Sequence, residues 1–81
     1  MTSVYSTEYQ LVIKILRDAR IEKGITQTKL AEALGRPQSF ITKVENGERK
    51  LDVVEFAVMA RLLGVGAGAV LGMIGERVHS L

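Results

Sequence analysis

The sequence predicts an all-α fold, a compact bundle of about five helices in 81 residues. Three observations carry this. Apolar residues recur at helical spacing in successive segments. Gly24, Gly35 and Gly64 fall where those stripes stop, as helix C-termini favour. Thr26 and Asp52 stand where the next stripes begin, each offering an oxygen to the free amides of a first turn.

Residues 1 to about 5 show no periodicity and are expected to fray. Ser6 or Thr7 is placed to cap the first helix, with Glu8 in its first turn. Tyr9, Val12, Ile15, Leu16 and Ala19 form its core stripe, and Gly24 ends it. Lys14, Arg17 and Lys23 lie off that stripe and read as a solvated face, with phosphate contact as the alternative. The second helix opens after Thr26, with Gln27 in its first turn, and turns Leu30, Ala31 and Leu34 to one side. Small Ala31 allows a close approach by the next helix.

Gly35 can adopt the left-handed conformation that ends a helix. Arg36, preceding proline, is pushed towards extended backbone, and Pro37 opens the third helix without needing an amide donor. That helix has an apolar back, Ile41 and Val44, and a polar front, Gln38, Ser39, Thr42 and Lys43. Phe40 lies on its flank, read as packed on the domain or as a contact to a sugar or thymine methyl. Asn46 to Lys50 is a turn by composition. Asp52 then caps a fourth helix, Val53 to Leu63, with Val54, Phe56, Met59, Ala60, Leu62 and Leu63 as its apolar contacts and Gly64 as its end. In the tail, Val70, Leu71, Ile74, Val78 and Leu81 recur at helical spacing. Gly68, Gly72 and Gly75 weaken that helix by up to ~1 kcal/mol each but leave a flat surface that another backbone can approach.

The stretch TQTKLAEALGRPQSFITKVENGERKLDVVEFAVMARLLGV resembles the Cro and lambda-repressor-like, or XRE, family of helix-turn-helix proteins. The likeness runs from about Leu16 to Val65. It rests on Thr-Gln opening the second helix, Leu-Ala within it, Gly at the turn, apolar residues at 41 and 44, and Glu-Asn-Gly after them. Pro37 departs from the pattern, standing where many relatives carry a Ser or Thr cap. The resemblance implies a lambda-repressor-like bundle with residues 1–66 as its DNA-binding part; the tail departs most from the family core, and its own stripe makes 67–81 a C-terminal helix of the same domain. It further implies that Gln27 touches the DNA backbone and braces the third helix, and that Arg20 and Glu45 form a buried ion pair.

Charge distribution agrees with an anionic partner. Between Lys14 and Lys50 there are nine Lys or Arg against five Asp or Glu, while each flank stands at −1, giving +2 in all. The absence of Cys excludes a disulfide framework, and a single His makes a zinc site unexpected. With no Trp, two Phe and two Tyr, the chain lacks an aromatic platform for single-stranded nucleic acid. The N-terminus does not read as a signal peptide, and the longest apolar run falls short of the ~20 residues of a membrane span. A cytoplasmic protein with no membrane partner, no cofactor and no evident small-molecule ligand is expected.

The polar front of the third helix suits duplex DNA. The major groove is about 12 Å wide and shows a distinct donor–acceptor pattern for each base pair. Gln38 can bond bidentately to adenine, Lys43 can donate to guanine O6 or N7, and Ser39 and Thr42 serve either, Thr42 adding a methyl for thymine. These four are the expected base readers. Gln27, Arg36, Asn46, Arg49 and Lys50 are the expected backbone contacts, which position without specifying. A solvated charge pair is the alternative for Arg49 and Lys50. One such helix reads too few bases to be selective, so a homodimer on a palindromic operator is expected, with Val70, Leu71, Ile74 and Val78 as its contact; packing of the tail onto its own protomer is the alternative. A repressor is the leading role. A controller or antitoxin of a two-gene system, or a protein-interaction module on the same scaffold, is the other reading. Catalysis is not expected, since lone His79 has no partner group and Glu45 and Glu48 converge with nothing else.

Overall fold

The computed structural model describes residues 4–78, with side chains from Thr7 onward. Five helices follow in order among these: α1 Val4–Glu22, α2 Gln27–Leu34, α3 Gln38–Glu45, α4 Val53–Leu62 and α5 Ala67–Gly75. Leu81 of the expected tail stripe and His79 lie outside the described residues.

The caps explain most boundaries. Thr26 is extended at the head of α2 and its hydroxyl accepts from the Lys29 amide at 3.0 Å. Gly35 closes α2 in the left-handed region at φ 69°, a conformation costly for any residue with a Cβ. Asp52 and Glu55 form a reciprocal capping box at the head of α4. Pro37 stands at the N-cap of α3, the position where many relatives carry Ser or Thr, at φ −67° and ψ 155°, and Gln38 is the first helical residue, as expected. Its ring fixes φ, yet without a side-chain acceptor it leaves the first amides of α3 uncapped.

The start of α1 also differs from expectation. The helix begins at Val4, so Ser6 and Thr7 lie within it and neither is its cap. Glu8 lies beyond the first turn and is buried, where it accepts a 2.6 Å bond from Arg77 Nη1. The pair ties the end of the chain to its beginning.

One core runs through all five helices: Ile13, Leu16, Leu30, Ala31, Phe40, Ile41, Val44, Phe56, Met59, Ala60, Leu63 and Val70. Tyr9, Val12, Ile15, Ala19 and Leu34 pack at its margin. Two expected contacts of α4 face outward instead, Val54 at 67 % exposure and Leu62 at 41 %. Val70 is the main correction in the tail. It was expected at a dimer contact, but it is 5 % exposed in the protomer's own core. Helix α5 packs against α4, and Val70 is its buried residue. Leu71 is exposed and Ile74 is intermediate on α5, while Val78, in the turn after it, is also exposed.

Candidate nucleic-acid interface

Helix α3 is held by its apolar back. Ile41 and Val44 are at most 1 % exposed, which sets the helix rotation and turns the opposite side outward. On that side Gln38, Ser39 and Lys43 are exposed and Thr42 is half-buried. All four line one open depression of about 390 Å³, with Glu48 at its edge. The structure therefore brings the four expected base readers onto a single concave surface. Glu48 belongs to that surface as well, although the sequence reads it only as part of a turn. Its carboxylate accepts from Asn46 Nδ2 at 3.4 Å, and a carboxylate there is an acceptor of the kind that suits cytosine N4.

Behind this surface runs a buried polar relay. Arg20, on α1, donates from Nε and Nη2 to the two oxygens of Glu45 at 2.7 and 3.0 Å. Its remaining Nη1 donates to the Ile25 carbonyl at 2.8 Å. The Glu45 side chain is 6 % exposed and that of Arg20 13 %, so the pair is a largely desolvated, bidentate one. Gln27 donates to Glu45 Oε1 at 2.9 Å. Its carbonyl oxygen accepts from Thr42 Oγ1 at 2.8 Å and from Gln38 Nε2 at 3.4 Å. Gln27 thus links the ion pair to two residues of the reading surface. One consequence modifies the expected role of Thr42: its hydroxyl lies 2.8 Å from Gln27 Oε1 and 3.4 Å from the Gln38 carbonyl, so its one proton is spent within the protein and only its acceptor capacity and methyl group remain for a base.

The expected backbone contacts fall into two groups. Asn46 and Lys50 are exposed in the turn after α3. The Lys50 ammonium lies 5.6 Å from the Tyr9 ring centroid. The Tyr9 hydroxyl accepts from the Leu51 amide at 2.9 Å and so anchors the same turn to α1. Arg49, of the same turn, is half-buried, its side chain 40 % exposed. It folds back over Phe40, donating to Glu55 Oε2 at 3.0 Å and to the Lys50 carbonyl. Arg36 reaches the same Glu55 oxygen at 2.8 Å. Both guanidinium groups lie over the Phe40 ring, 4.6 and 4.9 Å from its centroid. Phe40 itself is buried, which decides between its two readings in favour of packing on the domain.

Among the described residues no group of His, Cys, Asp or Glu is placed to hold a metal ion. No helix among them is long and apolar enough to cross a membrane.

A helix-turn-helix family model matches residues 16–69. Among solved structures, the chain is similar to an XRE-family like protein from Pseudomonas syringae pv. tomato str. DC3000. They share 42% identity over 94% of this chain and 93% of that one, with a TM-score of 0.83. It is also similar to a tyrosine-to-phenylalanine mutant of the restriction-modification controller protein C.Esp1396I, at 27% identity over 95% of this chain and 94% of the other, with a TM-score of 0.66. No curated protein matches at the sequence level. With the family model covering most of the chain and a relative this similar along nearly its whole length, the chain belongs to the XRE family of helix-turn-helix proteins, DNA-binding transcription regulators.

Proposed function

We propose that the chain is a sequence-specific repressor that binds a palindromic operator as a homodimer, with α3 in the major groove. The observation that carries this reading is the single concave surface formed by Gln38, Ser39, Thr42 and Lys43. Its mix of amide, hydroxyl and ammonium groups matches the base-edge pattern of the major groove. Gln38 and Lys43 read bases most directly, Ser39 adds a hydroxyl, and Thr42 offers its methyl group to thymine. Gln27, Arg36, Asn46, Arg49 and Lys50 bond the phosphates on either side and fix the register.

The homodimer draws support from an apolar face on α1, α4 and α5. A cavity of about 250 Å³ there is lined by Tyr9, Val12, Leu51, Val53, Phe56 and Leu71, among others. An adjoining one of about 260 Å³ takes in Leu71, Ile74 and Val78. Leu71, Ile74 and Val78 are the tail residues of the proposed contact; Val70, buried in its own protomer, is not. Two recognition helices on a two-fold axis would read half-sites about 34–36 Å apart. A second role is favoured by one comparison alone: the likeness to a restriction-modification controller protein fits a regulator of a two-gene system equally well.

The test is amide chemical-shift mapping on adding a duplex of mixed sequence. Shifts concentrated at residues 26–28 and 36–50 are expected. Shifts concentrated on the outer face of α4 and α5, with α3 unmoved, would overturn the assignment of the surface.

A further inference from the structure

Glu55 is not part of the reading surface, yet it holds two of the proposed backbone contacts. Its Oε2 accepts from both Arg36 and Arg49, at 2.8 and 3.0 Å. Its Oε1 accepts from the Asp52 amide at 2.9 Å, which fixes the carboxylate to the head of α4. Arg36 precedes α3 and Arg49 follows it, so one carboxylate gathers residues from both ends of the recognition helix. The pair is flattened on Phe40, whose ring supplies a fixed floor for two guanidinium groups. Each arginine side chain remains about 40 % exposed, at 43 % for Arg36 and 40 % for Arg49, against 15 % for Glu55. Each guanidinium carries five N–H donors, and these bonds use one of Arg36's and two of Arg49's. Two cations and one anion leave a net charge of +1.

We propose that Glu55 is a positioning residue that limits phosphate affinity: it cancels half the charge of the Arg36–Arg49 pair and fixes both guanidinium groups beside α3. Attraction to any duplex rises with each free cation, because every phosphate neutralised releases counterions whatever the base sequence. A carboxylate shared by two arginines lowers that indiscriminate share. It leaves the contribution of the base readers untouched, so overall affinity and its salt dependence fall while the ratio of operator to random binding is kept. This inference rests on the DNA-binding reading above.

The test compares wild type with Glu55→Gln, which keeps an acceptor for the Asp52 amide and so retains the capping box. Binding to a scrambled duplex and to a duplex enriched by selection is measured across salt concentrations. One charge released should steepen the slope of log K against log salt by about 0.9 and tighten scrambled-duplex binding about eight-fold at 0.1 M salt relative to 1 M. The selected duplex should gain by the same factor, so the ratio between the two should hold. Glu55→Asp keeps the charge and should keep the wild-type slope. A second route does not depend on replacing Glu55. Changing Arg36→Gln and Arg49→Gln together should reduce the slope by about 0.9, since the cluster contributes one net charge rather than two. An unchanged slope in Glu55→Gln, a gain confined to one of the two duplexes, a slope in Glu55→Asp as steep as in Glu55→Gln, or a reduction of about 1.8 in the double variant overturns the inference while leaving DNA binding in place. Failure of the wild type to bind any duplex would overturn both.

Discussion

Gln27 Oε1 accepts a 2.8 Å hydrogen bond from Thr42 Oγ1, while the same side chain donates to Glu45 at 2.9 Å. One residue of α2 thereby connects the reading surface of α3 to the buried ion pair that holds α3 to α1. The position of the recognition helix and the orientation of its side chains are set by one continuous network. Such networks respond to the loss of a single member by more than that member's own contact.

Gln27→Ala should show this directly. Loss of a hydrogen bond to a charged group costs about 1.5–3 kcal/mol, and Thr42 loses the partner that orients it. Urea unfolding should report the stability loss. Binding titrations should report weaker affinity for every duplex together with a reduced preference among them. A variant with wild-type stability and wild-type preference would show that Gln27 is a passive surface residue.

Arg20→Met leaves Glu45 largely buried with Gln27 as its main donor. The expected cost is about 3 kcal/mol, the low end for a broken buried pair, because the more exposed Arg17 guanidinium, 4.0 Å from Glu45, compensates the carboxylate only in part. The double variant Arg20→Met with Glu45→Leu removes both charges and should recover part of that loss. Chemical denaturation of the two variants side by side measures the difference. Equal destabilisation of both would mean that the charge left behind is not the source of the cost.

Base readers and backbone contacts should separate by their signatures. Lys43→Ala is expected to lose about 1–3 kcal/mol of discrimination at one base pair. Lys50→Ala should weaken all duplexes alike and reduce the salt slope by about 0.9. Sequence profiles from competitive selection, run at two salt concentrations for each variant, distinguish these outcomes. Identical profiles for wild type and Lys43→Ala would remove Lys43 from the reading set.

Leu71→Asp tests the homodimer without disturbing the core, since Leu71 is 52 % exposed. Analytical ultracentrifugation of the wild type should give twice the protomer mass, and the variant should give the protomer mass. A truncation before α5 would be a poor substitute, because it would remove Val70 from the core. A wild type that sediments as a single protomer at the concentrations at which it binds DNA would rule out the preformed dimer.

Local chemistry was the legible part of this fold. Thr26, Gly35, Asp52 and Gly64 act within a few residues of themselves, and the structure places them as caps and ends. The polar front of α3 followed from the spacing of Ile41 and Val44 alone. Helix α4 was harder because its sequence, VVEFAVMARL, is apolar on almost every side. No periodicity can say that Phe56 and Met59 face the core while Val54 and Leu62 face outward. Val70 escaped for a related reason: a stripe shows that a face is apolar, not which partner covers it. Contacts between distant segments left no local trace. The Glu8–Arg77 bond joins residues 69 apart, and the Glu55 cluster draws on three separate segments. Ile13, absent from the expected stripe, is buried because it lies four residues after Tyr9 and three before Leu16, at the edge of the same face.

The central claim is that the outward side of α3 discriminates among duplex sequences, and selection from random duplexes at fixed salt tests it most directly. Two inverted half-sites about one helical turn apart, centre to centre, should be enriched, with enrichment at the bases facing Gln38 and Lys43 lost when both are changed to Ala. A pool that stays random after repeated rounds, or one whose enriched sequence is unaffected by those changes, would contradict it.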